Sequence, residues 1–429
     1  MRWQVVLAVV AACGGGEAAN LIATIPNPDP HLADDFGVVV DFGPTFATLA
    51  GLHTIYLYDS DTGDEIATIQ DPSGLPDEAF GIQIRPFGDQ FIVASFLHVY
   101  QFDAGTGGLV REVFTPLTNI GDIAVVGDSF VVASTDAVIV RKGSPDLIDI
   151  ANPQPGTALI PVALGARFAL LSPGSAVDGV AEAGVVYLHD GQSGTRLATI
   201  ANPDLTTKRF GESISDLGAN FLVSADVAAT LFDGGTNKML TRFTANGPAT
   251  SLGATFVIGQ IDGGFELRDS ATGALIRAIP NPDPSGSFPQ FLSLGATFLA
   301  AMPFSDSDGM DNVGSAFLYD STTGELIDAL TAPGGQLRDA FGFTTARVGT
   351  RVLVGAPGRG VLHDGAVFQF DATTGADLDT IENPQSELDD GFGLALGSVG
   401  ASGNFVVGAL TKDTGGVTSS GAMYLYRSP

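Results

Sequence analysis

The sequence predicts an all-β fold made of nine copies of a four-stranded unit, and three observations support this prediction. A Gly-x-x-Phe/Val pattern recurs along the chain, with 35 to 54 residues between successive Phe/Val positions, which is typical of repeat architectures. The 429 residues include 56 Gly and 24 Pro but are 45% apolar, a composition that favours short strands between frequent turns. The two chain ends carry complementary parts of one unit. The glycines of the pattern are Gly43, Gly88, Gly127, Gly165, Gly218, Gly253, Gly295, Gly349 and Gly400.

Each copy contains four short runs of apolar residues between turn signals, which indicates four strands. In the first copy, the first strand is predicted from Phe36 and Gly37 onward, and the second follows Gly43. The third and fourth strands are joined by Asp-x-x-Thr/Ser-Gly, in which the Asp accepts backbone N–H groups and the Gly closes the hairpin. These aspartates are therefore predicted to be structural: Asp59, Asp103, Asp190, Asp233, Asp269, Asp320 and Asp371. In the Asp233 copy, Asn237 replaces the glycine.

The chain ends predict a closed ring. The ninth copy stops after its third strand, Met423–Tyr426, and residues Asn20–Ile25 read as an unpaired fourth strand. Four antiparallel strands per copy without helical periodicity predict a β-propeller whose N-terminal strand completes the last blade. An eight-bladed ring with one degenerate copy displaced is the alternative. The predicted propeller covers residues 20–429, with repeats at about 23–66, 67–110, 111–148, 149–197, 198–240, 241–276, 277–327, 328–378 and 379–429.

Residues 1–19 are predicted to be an export signal and a tether. Arg2 precedes an apolar run, Val5–Ala12, that is too short to span a bilayer. Val10-Ala11-Ala12-Cys13 resembles the lipobox of bacterial lipoproteins, which predicts lipidation of Cys13. A nonlipidated signal cut near Ala18 or Ala19 is the alternative. Both interpretations predict an exported protein, either an envelope lipoprotein or a secreted one, with the membrane contacted only through the lipid. Cys13 is the sole cysteine, so the chain cannot form an internal disulfide.

The strong negative charge excludes nucleic acid as a partner. The net charge is −29 and the pI is about 4.1, so the protein repels phosphate backbones. An acidic surface suits divalent cations, basic partner proteins or simple solubility. The five histidines show no zinc-binding spacing, and no phosphate loop or Gly-x-Ser-x-Gly turn occurs in a suitable context. These features favour a monomeric binding module over an enzyme.

Copies eight and nine resemble a known repeat. They contain Asp339-Ala-Phe341-Gly342 and Asp390-Gly-Phe392-Gly393, followed by Val354-Gly355-Ala356-Pro357 and Val407-Gly408-Ala409. These motifs resemble the FG-GAP repeat, the blade unit of integrin α-subunit propellers and many bacterial surface proteins. The resemblance implies a propeller head used for extracellular recognition. FG-GAP blades often hold calcium between their first and second strands, but here that link is shortened to Gly-x-x-Phe, so this calcium site does not carry over.

The site is predicted on the face that carries the variable loops. Links between strands one and two and between strands three and four are tight turns on one face, whereas the other connections vary in length, and binding usually resides on such loops. The longest second-to-third loops are 172–184, 303–314, 357–365 and 410–421, and three of them belong to the consecutive blades seven to nine. The candidate binding residues on this face are Asp34, Asp35, Asp77, Glu78, Asp339, Asp389, Asp390, Arg359 and His363. The alternative for its carboxylates is a set of solvated loop acids.

The loop 305–312 is the candidate cation site. Its predicted ligands are Asp306, Asp308, Asp311 and Asn312, and spaced oxygen ligands of this kind suit Ca²⁺. The first position of the calcium pattern is Phe304, which cannot ligate, so a plain polar turn is the alternative. Two functions follow from these features. The first is an exported or surface-anchored recognition or adhesion module for protein or glycan, and the second is a secreted hydrolase or lyase that uses loop carboxylates and a divalent cation.

Overall fold

The structure is a computed structural model that describes residues 18–34, 36–51, 53–75, 79–117, 119–283, 289–306 and 310–429. Within these segments the chain forms nine four-stranded antiparallel sheets, arranged as the blades of a β-propeller. The predicted fold class and the number of blades are therefore confirmed, and the eight-bladed alternative is wrong. None of the described segments forms a helix long and apolar enough to span a membrane.

The first five sheets follow the chain in order, after an initial strand, β1 (Asn20–Pro26). Blade 1 contains β2 (Val39–Asp41), β3 (Thr45–Ala50), β4 (Thr54–Asp59) and β5 (Glu65–Gln70). Blade 2 contains β6 (Gln83–Phe87), β7 (Gln90–Ala94), β8 (Val99–Asp103) and β9 (Leu109–Val113). Blade 3 contains β10 (Asp122–Val126), β11 (Ser129–Ala133), β12 (Ala137–Arg141) and β13 (Leu147–Ile150). Blade 4 contains β14 (Ile160–Leu164), β15 (Arg167–Ser172), β16 (Val185–Asp190) and β17 (Arg196–Ala201). Blade 5 contains β18 (Ser213–Asp216), β19 (Asn220–Ser224), β20 (Ala228–Asp233) and β21 (Met239–Thr244).

The remaining sheets include the one shared by both chain ends. Blade 6 contains β22 (Asn246–Ser251), β23 (Thr255–Gly259), β24 (Phe265–Asp269) and β25 (Leu275–Ile279). Blade 7 contains β26 (Gln290–Ser293), β27 (Thr297–Met302), β28 (Ser315–Asp320) and β29 (Leu326–Leu330). Blade 8 contains β30 (Thr345–Val348), β31 (Arg351–Ala356), β32 (Ala366–Asp371) and β33 (Asp377–Glu382). Blade 9 contains β34 (Phe392–Val399), β35 (Asn404–Ala409) and β36 (Ala422–Arg427), and β1 is its fourth strand.

The N-terminal strand closes the ring as predicted. β1 pairs with β36 in antiparallel register, from Asn20 opposite Arg427 to Pro26 opposite Ala422. The apolar core is divided into nine clusters, and each lies between two consecutive blades. One of these clusters joins Met423 and Leu425 of blade 9 to Phe46 and Tyr58 of blade 1. Because every blade packs against two neighbours, no blade face is left as an open end.

Burial follows the order of the strands within a blade. All five residues of β11 are buried, whereas only Leu330 of the outer strand β29 is buried. A strand sandwiched between two blades must be apolar on both faces, which explains the continuous apolar runs of the second and third strands. The outer strands alternate more weakly because much of their surface faces solvent.

On blades 1 and 8 the Phe-Gly pair precedes the first strand, which corrects the predicted strand starts, whereas on blade 9 β34 begins at Phe392. β2 begins at Val39 rather than at Phe36, and β30 begins at Thr345 rather than at Phe341. Phe36 and Phe341 are fully buried in the clusters between blades. On blades 1 and 8 the pair therefore anchors the loop that leads into the blade, and the strand follows it.

The Asp turns are structural, as the sequence predicts. In the first of them, Asp59 Oδ1 accepts hydrogen bonds from the backbone N of Asp61 (2.9 Å) and of Thr62 (2.8 Å), and from Thr62 Oγ1 (3.1 Å). These bonds, led by that from the Thr62 backbone, hold the pKa of the Asp59 carboxyl below its usual range. Asn237 has the positive φ of 56° that the turn requires at the position of the usual glycine.

A second repeated contact joins neighbouring blades on the same face. In the pairs given below, the donor is the side chain of the residue immediately before the Phe of Gly-x-x-Phe. The acceptor is in the Asp turn of the next blade: it is the backbone oxygen of the residue that follows the Asp. The donor and acceptor residues are Thr45 and Ala104 (2.5 Å), Arg167 and Gly234 (2.7 Å), Asn220 and Ser270 (2.9 Å), Thr255 and Ser321 (2.5 Å), Thr297 and Ala372 (2.5 Å), and Asn404 and Ser60 (2.8 Å). The last pair links blade 9 to blade 1 and so closes the ring a second time.

Candidate recognition site on the loop face

The two faces of the ring differ in their connections. The turn face carries the short links between first and second strands and the Asp turns, and the loop face carries the other links. Long loops connect β15 to β16, β27 to β28, β31 to β32 and β35 to β36, as the sequence predicts. Three of these four loops therefore stand side by side on blades 7, 8 and 9.

Each long loop ends on a glycine that contacts the next blade. A Cβ added at Gly421 would lie only 2.2 Å from the backbone oxygen of Phe36, and a Cβ at Gly314 would lie 2.2 Å from that of Phe341. Phe341 N also donates to Val313 O at 3.0 Å. The Phe-Gly and Gly-Ala motifs of the sequence thus meet across blade junctions, where only a glycine allows the backbones to approach so closely.

A buried ion pair supports the loops of blade 9. Lys412 Nζ lies 3.1 Å from Asp390 Oδ2, and their side chains are only 6% and 2% exposed. The same carboxylate oxygen accepts from Asn383 Nδ2 (2.8 Å) and from Glu387 N (2.9 Å). Asp390 therefore faces the interior of its loop rather than solvent.

Blade 8 contains the equivalent pair with different side chains. Arg359 Nη1 donates to Asp339 Oδ2 at 2.8 Å, and the Asp339 side chain is 1% exposed. The guanidinium also donates to the backbone oxygens of Pro333 (2.6 Å) and Gly334 (2.8 Å), so it joins three segments of the loop. The Oδ1 atom of Asp339 is buried and has no hydrogen-bond partner in the described chain.

Asp34 occupies the same position at the start of blade 1 but pairs with an amide. It is buried and accepts from Asn27 Nδ2 (2.9 Å) and from His31 N (2.5 Å). Asp34, Asp339 and Asp390 thus form three separate structural contacts, each on its own blade.

The other predicted binding residues are distributed differently. Asp389 and His363 are exposed, with positive φ values of 58° and 53°. Asp35, Asp77 and Glu78 lie outside the described residues. The structure therefore brings His363 and Asp389 onto the exposed surface of blades 8 and 9, and it places Arg359 beneath that surface.

One of the predicted ligands in the candidate cation loop is bound within the loop itself. Asp306 Oδ1 accepts a hydrogen bond from Asn312 N at 2.9 Å, and Asp306 and Asp311 are exposed. The blade 9 loop has the same arrangement, since Asp413 Oδ1 accepts from Ser419 N at 3.0 Å. In the part of the chain that the structure describes, no three His, Cys, Asp or Glu side chains are grouped to hold a metal ion. Asp308 and Cys13 lie outside the described residues.

Sequence reasoning missed an exposed aliphatic patch on this rim, which we call the blade 8–9 patch: Val361, Leu362 and Leu388. Their exposed fractions are 90%, 42% and 68%. The two loops are joined because Asp389 N donates to Leu362 O at 2.8 Å. Two adjacent aliphatic residues, Val361 and Leu362, within an otherwise polar loop were the available sequence signal. Phe304, in the loop between β27 and β28, and Leu337, before β30, are also exposed.

A polar cleft of about 510 Å³ adjoins this patch on blade 9. Glu387, Lys412 and Asp413 line it, together with residues of β1. Glu387 lies 3.4 Å from Lys412 but is 62% exposed, and Asp413 is exposed as well. Because Lys412 is also bound to Asp390, the accessible charge of the cleft is negative.

Comparisons with known proteins support the fold. The computationally designed Ika8 protein is 12% identical, with a TM-score of 0.54, and the alignment covers 82% of this chain and 99% of that chain. The dihydro-heme d1 dehydrogenase NirN, in complex with DHE, is 17% identical, with a TM-score of 0.52 and coverage of 84% and 78%. Sqt1 of Saccharomyces cerevisiae is 13% identical, with a TM-score of 0.52 and coverage of 96% and 100%.

At these identities the likenesses show the fold alone. No family model matches the sequence, and no curated protein matches it. The likeness to FG-GAP repeats therefore has no support from a family match. Its motif residues are explained here by the contacts at blade junctions.

Proposed function

We propose that this chain is an exported recognition module that binds a protein partner through the blade 8–9 patch and the adjoining cleft. The observation that carries the proposal is the exposed aliphatic surface formed by Val361, Leu362 and Leu388 on two joined loops. Exposed apolar patches bounded by polar residues are characteristic of protein-binding surfaces. The patch lies on the face where variable loops stand on a repeated scaffold, which is where binding residues usually occur.

The charge around the patch selects the partner. Asp389 and Glu387 flank Leu388, and Asp413 lies across the cleft. The whole chain carries a net charge of −29. A partner with a basic surface and one or two apolar side chains would be complementary to this arrangement, and its association would be accelerated at low ionic strength.

The loops are held in place before binding. Asp390 and Lys412 fix the blade 9 loops from below, and Asp339 and Arg359 fix those of blade 8. A surface that is ordered in the free protein loses less conformational entropy on binding. Asp339, Asp390 and Arg359, which the sequence analysis predicted as binding residues, thus act as supports of the proposed surface rather than as contacts to the partner.

Export belongs to the proposal and rests on the N-terminal sequence. Arg2 followed by the apolar run Val5–Ala12 fits a signal segment. A ring without cysteine beyond position 13 folds without disulfides, so it does not depend on an oxidising compartment for stability.

The decisive experiment measures a defined partner against matched variants. A photo-crosslinking residue placed at His363 captures the partner from the envelope or medium fraction, and the purified partner is then titrated by calorimetry. We expect the variant Val361→Asp/Leu388→Asp to bind at least tenfold more weakly, since each lost apolar anchor removes about 1–2 kcal/mol.

The control is Leu326→Asp, a change of the same kind at a residue of the outer strand β29 that is 55% exposed. It should bind as the wild type does. The proposed surface would be refuted if Val361→Asp/Leu388→Asp bound the partner as tightly as wild type does. It would also be refuted if the protein bound an arrayed glycan and this variant bound that glycan equally well. Glu387→Gln/Asp413→Asn should weaken binding less and reduce its salt dependence.

A further inference from the structure

The beginning of the described chain makes a contact with a different blade from the one it completes. Ala19 N donates to Asp379 Oδ2 at 3.1 Å, although β1 belongs to blade 9 and Asp379 lies in the outer strand β33 of blade 8. The same oxygen accepts from Gln369 Nε2 at 3.2 Å. Ala19 is half-buried against the apolar cluster between blades 8 and 9. This nitrogen therefore has a fixed position at a blade junction.

Within the described segments, the carboxylates at this position form no salt bridge. Asp377 and Asp379 lie in the same strand, and burial together with the charge of Asp379 raises the pKa of the Asp377 carboxyl. No Lys, Arg or His side chain of the described chain lies within 4.0 Å of either carboxylate. Two acids close together at a partly buried site are stabilised by a positive charge.

We infer that export removes residues 1–18 and that the α-ammonium group of Ala19, the first residue of the mature chain, pairs with Asp379. Gly16 and Ala18 place small residues at the third and first positions before this bond, as signal cleavage requires. Water adds across the Ala18–Ala19 peptide bond, so Ala18 leaves with a carboxylate and Ala19 gains an amine that is protonated at neutral pH. The inference rests on the proposed export.

The cleavage changes an ordinary amide contact into a charge-assisted one. An ammonium group that donates to a carboxylate forms a hydrogen bond about twice as strong as a neutral pair does. This hydrogen bond would attach β1, the strand that closes the ring, to blade 8 in addition to its pairing within blade 9. Lipidation of Cys13 is the competing outcome, because it would leave residues 13–18 attached and an amide at Ala19.

The first test is the intact mass of the full chain after secretion by a host with both processing systems. The inferred mature protein consists of residues 19–429 without lipid. A diacylated chain that begins at Cys13, or cleavage at another bond, would overturn the inference. The measured mass does not depend on partner binding. A failure of this inference can therefore be distinguished from a failure of the proposed recognition function.

The second test follows the thermal unfolding of the mature chain between pH 6.5 and pH 10. The titratable groups on the elements packed at this junction include Asp377 and Asp379 on β33, Arg351 on β31, which donates to Gln369, and Tyr426 and Arg427 on β36. Burial raises the pKa of Tyr426 above its usual range, and arginine stays protonated, so neither titrates in this interval. The amine titrates near pH 7.7–8.0 in an unfolded chain, and the carboxylates raise its pKa in the folded one.

A raised pKa means that the stabilisation is complete below about pH 7.7 and is lost as the pH rises through the folded-state value. We expect wild type to exceed Asp379→Asn by about 1–3 °C in Tm at pH 6.5, and this difference to shrink by pH 10. The N-acetylated mature chain should show a smaller difference that does not change over this interval. If the free and acetylated chains respond equally to pH, the ion pair does not exist. Asp146→Asn on blade 3, whose carboxylate accepts no hydrogen bond in the structure, is the control substitution.

Discussion

The turn face and the loop face of this ring are stabilised in different ways. On the turn face, the same small contacts recur: an Asp that accepts from its own turn, and a side chain before the recurring Phe that donates to the next blade. On the loop face, the buried acid before the Phe-Gly pair is paired differently from blade to blade: with Lys412 on blade 9, with Arg359 on blade 8 and with the Asn27 amide on blade 1. The repeated contacts thus stabilise the scaffold, and the contacts that vary between blades support the candidate recognition surface.

This difference predicts where a single substitution matters. Each repeated contact contributes only a small part of the free energy of unfolding, because every pair of neighbouring blades in a repeat protein adds its own interface energy. A contact that occurs once, between buried charges, has no such substitute. Substitutions on the two faces should therefore differ in the size of their effect.

The largest effect is expected from Lys412→Met. This change leaves the Asp390 carboxylate, which is 2% exposed, without its cation. Removal of one partner from a buried ion pair lowers the free energy of unfolding by about 3–5 kcal/mol. Chemical unfolding followed by circular dichroism measures this loss.

The double variant Lys412→Met/Asp390→Asn should recover much of the lost stability, since no buried charge remains uncompensated. Lys238→Met, at an exposed lysine that forms no salt bridge with a described residue, should stay within about 0.5 kcal/mol of wild type. If both single lysine variants are equally stable, the loop face does not depend on its buried pair.

The second effect concerns the blade junction at which the ring closes. In Gly421→Ala, the new Cβ would meet the Phe36 oxygen at 2.2 Å, at a residue with a φ of 86°. Steric overlap and backbone strain together should lower the stability by about 3 kcal/mol. Gly253→Ala separates the two causes, because Gly253 has a φ of 92° but no atom within 4 Å of the added Cβ.

We expect Gly253→Ala to lose about 1 kcal/mol, which is the contribution of the backbone conformation. The difference between the two alanine variants, measured by thermal unfolding, then reports the close approach of blades 9 and 1. Equal losses would mean that the loop of blade 9 can move away from Phe36, and the junction would not be rigid.

The scaffold could be predicted from the sequence because its signals are local and repeated. Asp59 and Gly63 define a hairpin by their spacing alone. Because the unit occurs nine times, its pattern can be recognised even where a single copy deviates from it. Ring closure was also predictable, since the N-terminal segment repeats the pattern of the fourth strands. The start of β2 was predicted wrongly because Phe36 and Gly37 look like strand residues, although their role is to pack against the preceding blade.

The candidate site could be predicted only as a region. The length of the loops pointed to blades 7 to 9, but a sequence does not show which loop acids are buried. Asp390 and Asp389 are neighbours of the same type, yet one is 1% exposed and the other lies on the surface. The blade 8–9 patch was missed because Leu362 and Leu388 are far apart in sequence, and contacts in the fold such as the bond from Asp389 N to Leu362 O bring their loops together.

The smallest effect is expected on the turn face, from Asp320→Ala. Asp320 Oδ1 accepts from Thr322 Oγ1 (2.6 Å), Thr323 N (2.7 Å) and Thr322 N (2.8 Å). The bond from the Thr322 side chain is the main cause that lowers the pKa of this carboxyl from 3.8. Because the turn is exposed, the loss should be below about 1 kcal/mol at pH 7.

The pH dependence of that variant identifies the cause. A lowered carboxyl pKa stabilises the folded state fully above pH 3.8, and the stabilisation is lost as the pH falls through the folded-state value. The difference between wild type and Asp320→Ala in urea unfolding should therefore shrink between pH 4 and pH 2. Asp320→Ala could instead lower the free energy of unfolding as much as Lys412→Met does, or by an amount that does not change in acid. Either result would contradict the contrast between the two faces, because a single turn would then be essential to the scaffold.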